Sequence, residues 1–235
     1  MKIKSGFMGA LMGILWICCS ILGCSNSSDD GNSVFVQKGE HIKFGSYQGE
    51  KIEWRVLDVK GEKVLLLSEY GLDVKPYNDN LSSGITWESC TLRRWLNGEF
   101  YEKAFTVEER DKILLSTSEG FPEYNSRLPG GEYDYLERET EDYVFLLSYT
   151  EVYQYISNNT GDGSNDDRLC YPTDYVKSNF DIHTYQDACG WWLCAGNARD
   201  DECRTMIVSE LGSIHVETEV DSNAYTIRPA MWVKW

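Results

Sequence analysis

Basic residues are scarce in this sequence. The 235 residues include 22 lysines and arginines against 38 aspartates and glutamates, which gives a formal net charge of −16. Nucleic acids and anionic lipid headgroups bind clusters of positive charge, so this deficit argues against both as charge-driven partners. The excess of acid has two interpretations, a soluble surface or an acidic binding face.

Local signatures of common catalysts and metal sites are also missing. Neither the Gly-x-Ser-x-Gly nor the Ser-x-x-Lys motif of serine hydrolases occurs after the first 24 residues. No two cysteines have Cys-x-x-Cys spacing, and His41, His183 and His215 are far apart in the sequence. Zinc sites and redox motifs need such clusters. Thiol and metal catalysis are therefore disfavoured, and no cofactor is predicted.

The N-terminus carries the one long uncharged run. Lys2 and Lys4 flank residues 6–23, which hold no charge and end in Ile21-Leu22-Gly23-Cys24. A short positive region before an apolar segment is typical of a signal peptide. A small residue before a cysteine is the pattern cleaved in bacterial lipoproteins, whose thiol takes a diacylglycerol and a palmitate-type acyl chain. We predict a signal peptide over residues 1–23 and a lipid on Cys24; the alternative is an uncleaved membrane anchor.

The rest of the chain divides into a tether and one domain. Residues 24–33 contain no apolar side chain after Cys24, which predicts a flexible segment. Residues 34–235 are long enough to bury a substantial core. This organisation predicts a protein of the outward-facing side of a bacterial membrane, held there by its lipid.

Five cysteines remain in the predicted domain: Cys90, Cys170, Cys189, Cys194 and Cys203. An odd number leaves at least one free thiol or an intermolecular bond. The last three are close in sequence, and an exported location permits a disulfide among them. Cys189, Cys194 and Cys203 are therefore the disulfide candidates.

Apolar patterns predict short strands in both halves of the domain. Strands are expected near residues 41–45, 52–59, 64–68, 143–147, 191–193, 206–208, 213–216 and 225–228. A helix is expected over residues 90–96, with Asn97-Gly98 as its end, and two more after capping boxes at Thr106 and Ser148. Short antiparallel strands, few helices and long loops indicate a single α+β domain.

Several short blocks follow one another between residue 38 and the C-terminus. They include Glu53-Trp54-Arg55-Val56-Leu57-Asp58-Val59, Leu92-Arg93-Arg94-Trp95-Leu96-Asn97, Val144-Phe145-Leu146-Leu147-Ser148, Trp191-Trp192-Leu193 and Ile227-Arg228-Pro229-Ala230-Met231-Trp232-Val233. In this order they resemble a bacterial domain family of unknown function, found in many exported proteins. That family is in turn similar to C-type-lectin-like and formylglycine-generating-enzyme-like folds. The resemblance implies a C-type-lectin-like architecture and brings no established activity.

Tryptophan supplies the main binding hypothesis. Trp54, Trp95 and one of Trp191 and Trp192 are expected in the core. Neighbours in a strand point to opposite faces, so the other member of the pair is expected to face away from the core. Indole rings stack on sugar faces and apolar ligands. That ring, with Trp87 in a loop, is the predicted ligand platform, and Arg228 is its polar candidate.

Two polar groups have a structural and a functional interpretation each. Asp162, Asp166 and Asp167 belong to a loop whose alternating oxygens resemble a calcium site, although a solvated loop is favoured because the EF-hand spacing is missing. Glu53, Arg55, Arg93 and Arg228 lie within the blocks above, and structural ion pairs are favoured over catalysis.

These features predict a non-catalytic binding module on the cell surface, with carbohydrate or another surface polymer as its ligand. One alternative is an envelope enzyme that uses carboxylates such as Glu53 or Glu88 on a wall or peptide substrate. Another is a structural partner in an envelope protein complex, in which exposed tryptophans would serve as contact points.

Overall fold

The first three strands form a meander in the computed structural model, which describes residues 36–117, 140–156, 166–196 and 203–235. Strand β1 is His41–Tyr47, β2 is Glu50–Lys60 and β3 is Lys63–Ser68, each antiparallel to the one before. Their positions confirm the predicted strands, and β3 is buried along Val64–Ser68, as its continuous apolar run predicted. The predicted signal peptide, Cys24 and tether lie outside the described residues and stay predictions.

The helical segments are short and are spread between residues 91 and 179. They are α1 (Thr91–Trp95), a π-helical turn (Leu96–Phe100), α2 (Tyr101–Ala104), α3 (Val107–Arg110), α4 (Tyr149–Tyr155) and α5 (Asp174–Asn179). Both predicted capping boxes are confirmed, because Thr106 and Ser148 exchange hydrogen bonds with Glu109 and Glu151. The predicted helix end at Asn97-Gly98 is wrong. The chain continues helically there because Asn97 bonds back to the carbonyl of Arg93 and across to Val144.

The remaining strands are short. They are β4 (Tyr70–Gly71), β5 (Asp73–Val74), β6 (Ile113–Leu114), β7 (Tyr171–Pro172), β8 (Thr184–Tyr185), β9 (Ala188–Cys189), β10 (Trp191–Gly196), β11 (Arg204–Val208), β12 (Ile214–Glu219), β13 (Thr226–Ile227) and β14 (Ala230–Lys234). Residues 143–147 are largely buried, as predicted, but they form only an isolated bridge from Phe145 to Ala230 instead of a regular strand.

Two five-stranded sheets organise the domain. The first has the order β1-β2-β3-β14-β6 and the second β12-β11-β10-β13-β5. All pairs in them are antiparallel except β10 with β13. Two small pairs, β4 with β7 and β8 with β9, lie beside them. This sheet-rich arrangement with few short helices confirms the coarse α+β prediction.

Two chain segments run alongside each other as they pass from the first sheet to the second. Residues 63–74 contain β3 and β5, and residues 226–234 contain β13 and β14. Hydrogen bonds continue between them, from Ser68 N to Pro229 O (2.8 Å) and from Leu72 N to Ile227 O (2.9 Å). The two sheets therefore share one continuous core of buried side chains. Among the described residues, no helix is long and apolar enough to cross a membrane.

Candidate ligand-binding site

The exposed platform was predicted from Trp87 and one of Trp191 and Trp192, but all three rings are buried. Trp191 and Trp192 are inaccessible to solvent, and Trp87 is 4% exposed. The prediction that one of the adjacent pair faces away from the core is wrong, because both faces of β10 are covered. Arg228 lies over the Trp191 ring, and Tyr77 and Tyr225 pack on Trp192.

Each of these indole N–H groups also has an internal partner. Trp191 donates to the carbonyl of Arg168 (3.0 Å), and Trp192 donates to that of Lys75 (2.9 Å). Trp87 donates to the Asp142 carboxylate (2.8 Å). These rings therefore build the core and leave neither a free face nor a free donor for a ligand.

Arg228 is also buried, so its assignment to a ligand surface is wrong. Its side chain is inaccessible to solvent. Its Nε donates to the carbonyl of Ser68 (2.9 Å), and its Nη1 donates to the carbonyls of Arg168 and Leu169 (3.4 Å each). It thereby ties the segment before β7 to the point where the chain leaves β3.

The other charged residues of the sequence blocks form ion pairs, as favoured. Arg55 makes a bidentate contact with Glu69 (2.6 and 2.8 Å). Glu53 instead pairs with Nδ1 of His41 (2.8 Å). Arg93 pairs with the buried Asp142 (2.6 Å), while Glu88, the other carboxylate proposed for catalysis, is exposed in a turn.

The predicted calcium loop lies partly outside the described residues. Asp162 is not among them, whereas Asp166 and Asp167 are exposed in a 3-10 turn, Asp166–Arg168. The described residues contain no cluster of three or more histidine, cysteine or acidic side chains able to hold a metal. The calcium site therefore stays a prediction.

The five cysteines of the domain carry free thiols. Those of Cys90, Cys170, Cys189 and Cys194 are buried. The neighbour of Cys189 is Cys170, which is distant in sequence, instead of the expected Cys194 or Cys203.

A cleft of about 180 Å³ is the best candidate for a ligand site. We call it the tyrosine cleft. Three separate parts of the chain line it: the β1–β2 hairpin, the β4–β5 segment and the start of α5. Its lining residues are Lys43, Tyr47, Gln48, Glu50, Lys51, Ile52, Glu53, Tyr70, Leu72, Thr173 and Tyr175.

The hairpin that forms one wall has a tight turn. Tyr47 pairs with Glu50, so Gln48 and Gly49 are its two turn residues, and both have positive φ (51° and 87°). Such two-residue turns match the twist of paired strands. Just before it, Gly45 has φ of 68° and lies so close to Phe105 that a Cβ would clash at 2.6 Å. The resulting irregularity in β1 packs this hairpin against the end of α2.

Tyr47 is the anchored ring of the cleft. Its hydroxyl donates to Asp73 (2.5 Å), a buried carboxylate, and its ring packs on Phe100 (5.1 Å between centres) and edge-on to Tyr175 (6.4 Å). Burial, and then the hydrogen bond to Asp73, raise the pKa of Tyr47. The Tyr47 hydroxyl therefore stays uncharged, and its ring forms a fixed wall of the cleft.

Tyr70 and Tyr175 are the more accessible rings. Tyr70 is 38% exposed, and Tyr175 is half-buried at the first turn of α5. The backbone holds these two walls together, because β4 pairs with β7 and Thr173 N donates to the carbonyl of Gly71 (3.1 Å). An aromatic ring on a rigid wall is suited to stacking against a flat apolar face of a ligand.

The charges of the tyrosine cleft are balanced. Lys43 and Lys51 face Glu50 and Glu53 among its lining residues. Such a site offers hydrogen-bond donors and acceptors without favouring either sign of ligand charge. A second, more open cleft of about 450 Å³ lies beside Trp232, but the ammonium of Lys60 already covers that ring at 5.4 Å.

The three tyrosines of the cleft were not predicted from the sequence. They are spread over positions 47, 70 and 175 with no motif connecting them. The one local signal is the Gln48-Gly49 dipeptide between strand residues, which indicates a tight turn. Among the residues that line the cleft, Glu53 alone was also named from the sequence as a candidate functional residue.

Comparison with known families finds a match over most of the chain. The family model described as DUF6273, a domain of unknown function, matches residues 61–235. The chain belongs to this family. The DUF6273 match begins at Gly61, in the turn between β2 and β3, so it contains the helical segments and the second sheet but not β1 and β2.

The boundary of the DUF6273 match runs through the candidate site. Tyr70 and Tyr175 lie inside it, whereas Tyr47 and Glu53 precede it. No curated protein and no solved structure matches the chain.

Proposed function

We propose that this DUF6273 domain is a non-catalytic binding module and that the tyrosine cleft binds a neutral carbohydrate unit. The observation that carries the proposal is the convergence of three tyrosine rings with polar side chains of both charges in one cleft. Sugars present a flat apolar face for stacking and hydroxyl groups around the ring for hydrogen bonds. The tyrosine cleft offers partners for both.

The size and charge of the site narrow the ligand class. At about 180 Å³ the tyrosine cleft is smaller than the pockets of roughly 300–1,000 Å³ that enclose drug-sized molecules. One sugar residue, at the end or side of a longer chain, suits this volume. The net charge of −16 repels anionic polymers, so a neutral glycan is favoured over a phosphorylated or uronic one.

The proposal includes the location inferred from the N-terminus. A lipid on Cys24 and the tether would hold the domain at the outer side of a bacterial membrane, within reach of surface glycans. Replacing Cys24 by alanine is expected to abolish incorporation of labelled palmitate. Continued labelling of the variant would contradict lipidation at this residue. A C-type-lectin-like architecture stays a prediction, and the cleft does not depend on it.

A thermal-melt screen of residues 34–235 against neutral and anionic glycans tests the ligand class. A ligand at 100 times its dissociation constant adds about 2.7 kcal/mol, which corresponds to a shift of roughly 5–10 °C in a domain of this size. We expect shifts with a neutral glycan and none with its anionic counterpart. Parallel samples with calcium or a chelator test the Asp162 loop.

Paired variants then locate the site. Tyr70→Ala removes the exposed ring of the cleft, and we expect it to weaken binding about tenfold, or about 1.4 kcal/mol. Tyr185→Ala is the matched control, because Tyr185 is 51% exposed in β8 and does not line the cleft. Equal affinities of the two variants would place the ligand elsewhere.

The enzyme alternative has one observation in its favour. Glu53 lines the tyrosine cleft and is oriented by His41, and Glu50 is a second carboxylate of the same cleft. Glycosidases use such carboxylate pairs. Release of reducing sugar that Glu53→Gln abolishes would establish hydrolysis, whereas binding without release would support the module. The protein-partner alternative is weaker, because it needs exposed tryptophans as contact points. Among the described residues, Trp235 is the only exposed tryptophan.

A further inference from the structure

Cys170 and Cys189 lie together although they are 19 positions apart in the sequence. The backbone N–H of Cys189 donates to the carbonyl of Cys170 (2.8 Å), and the Cys189 sulfur lies 3.4 Å from the same oxygen. The two thiols also interact with each other, and each shifts the pKa of the other. Both residues are inaccessible to solvent.

The elements on either side hold this pair in register. Cys170 directly precedes β7, which pairs with β4, and Cys189 ends β9, which pairs with β8. Thr226 completes the contact, with its hydroxyl 3.5 Å from the Cys189 sulfur. A disulfide needs Cα atoms within roughly 4.4–6.8 Å and side chains that converge. The direct backbone hydrogen bond between the two residues, with the Cys189 sulfur turned towards Cys170, holds the pair in the neighbourhood that such a bond needs.

A buried cation lies beside the pair. Arg228 contacts Ser68, Arg168 and Leu169 through carbonyl oxygens, and among the described residues its Nη2 has no hydrogen-bond partner. Burial raises the pKa of Cys170, but the hydrogen bond from Cys189 and the charge of Arg228 outweigh it, so the net shift is downward. The hydrogen bond to Cys170, together with burial, raises the pKa of Cys189. Of the two thiols, Cys170 therefore has the lower pKa.

We propose that Cys170 and Cys189 are a redox pair that closes to a disulfide when the chain folds in the presence of a disulfide oxidant, before burial shields the two thiols. The Cys170 thiolate attacks one sulfur of the oxidant and releases the other as a thiol, which leaves Cys170 in a mixed disulfide. The Cys189 sulfur then displaces the remaining oxidant half and forms the Cys170–Cys189 bond. The two cysteine protons end on the two released thiols, and the oxidant disulfide is reduced by the two electrons that the cysteines lose.

The disulfide would secure one wall of the tyrosine cleft. The segment it closes contains Thr173, Tyr175 and the whole of α5. A crosslink over such a loop restricts the unfolded chain and leaves the folded arrangement as it is. The proposal rests on the thiol geometry alone and does not depend on the ligand of the cleft.

Refolding the reduced full-length chain in glutathione buffers of increasing oxidised fraction tests the pair. Thiols are then alkylated in denaturant, and peptides are mapped without reductant. We expect Cys170 and Cys189 to become protected together and to appear as one linked peptide that reduction separates. Alkylation of both at every glutathione ratio, or a link from Cys189 to another cysteine, would overturn the proposal.

Variants separate this pair from the other buried thiols. Cys90→Ser and Cys194→Ser remove equally buried cysteines and are expected to leave the linked peptide intact. Cys170→Ser is expected to leave Cys189 open to alkylation under all conditions. The oxidised wild type should melt roughly 5–10 °C above the reduced form, and Cys189→Ser should lose this difference. If the serine variants do not fold, the wild-type peptide map alone decides.

Discussion

Four side-chain donors converge on the buried carboxylate of Asp142. One carboxylate oxygen accepts from Arg93 Nε (2.6 Å) and Asn97 Nδ2 (3.2 Å), and the other accepts from Trp87 Nε1 (2.8 Å) and Thr140 Oγ1 (2.6 Å). Its side chain is fully shielded from solvent. A buried charge is tolerated only when its partners are all present, so these residues depend on one another.

Replacing Asp142 by asparagine should therefore destabilise the domain by about 3 kcal/mol. The amide would present a donor to donors and leave Arg93 without its counter-charge. Urea denaturation followed by tryptophan fluorescence measures the change. Glu99→Gln is the control, since Glu99 pairs with Lys103 on the surface, where solvent screens the pair and its loss has little effect on stability. Equal effects of the two variants would show that the Asp142 network is not a stabilising unit.

Tyr47 gives a pH dependence whose sign follows from its environment. Burial and the bond to Asp73 raise its pKa above the ordinary value of 10.0, so the folded chain holds this proton more tightly than the unfolded chain. The resulting stabilisation is complete below about pH 10 and is lost as the pH rises towards the folded-state pKa.

We expect the free energy of unfolding to fall between about pH 8 and about pH 10.5, and to fall less in Tyr47→Phe. Tyr77 has a raised pKa through burial and contributes equally to both proteins, so the difference isolates Tyr47. Denaturant titrations at the two pH values give the comparison. Identical pH slopes for wild type and variant would mean that Tyr47 titrates normally in the folded protein.

At the scale of elements, the helical segment over residues 91–104 depends on one side chain at its centre. The π-helical turn Leu96–Phe100 interrupts the α-helical pattern there. Asn97 accepts from the backbone N–H groups of Tyr143 and Val144 (2.8 and 3.2 Å) and donates to the carbonyl of Val144 (2.8 Å). The Asn97 side chain therefore makes the hydrogen bonds to the backbone of residues 143–144 that a neighbouring strand would otherwise make. With these backbone groups already bonded to a side chain, residues 143–144 form no regular strand.

Asn97→Ala should cost about 2–3 kcal/mol, because it leaves backbone groups of residues 143–144 without their partners. Asn179→Ala is the matched control: its amide bonds to the carbonyl of Tyr175 one turn earlier, at the surface. Denaturant midpoints of the two variants provide the measurement. A loss below about 0.5 kcal/mol for Asn97→Ala would show that water replaces the amide.

At the scale of the whole molecule, the folding unit is longer than the family match. Strand β2 precedes Gly61, yet it pairs along the length of β3 and contributes Trp54, which is inaccessible to solvent. The Trp54 indole donates to the carbonyl of Phe44 in β1 (2.7 Å). Without these strands, the buried face and one edge of β3 would be exposed.

We expect residues 35–235 to fold and residues 61–235 to aggregate or remain unfolded. Exposing the unpaired edge and apolar side chains of β3 is the reason. Circular dichroism and thermal melts of the two purified fragments distinguish the outcomes. A cooperative transition in the shorter fragment would show that β1 and β2 are an addition to a self-sufficient family domain.

The sequence by itself determined the features that depend on neighbours in the chain. Strands β1 to β3 follow from apolar patterning, and α3 and α4 follow from capping boxes whose partners are three residues apart. The predicted burial of Trp54 is confirmed, and its strand alternates between buried and partly exposed residues.

Only the tertiary structure decided the features that depend on what covers an element. Trp191 and Trp192 point to opposite faces of β10, as strand geometry requires, but residues remote in sequence pack on both faces, and so neither ring is exposed. The burial of Arg228 and the contact between Cys170 and Cys189 also depend on residues that are remote in sequence. The tyrosine cleft combines three segments, and the wall from α5 is joined to the others by the pairing of β4 with β7, a long-range contact that no local pattern encodes.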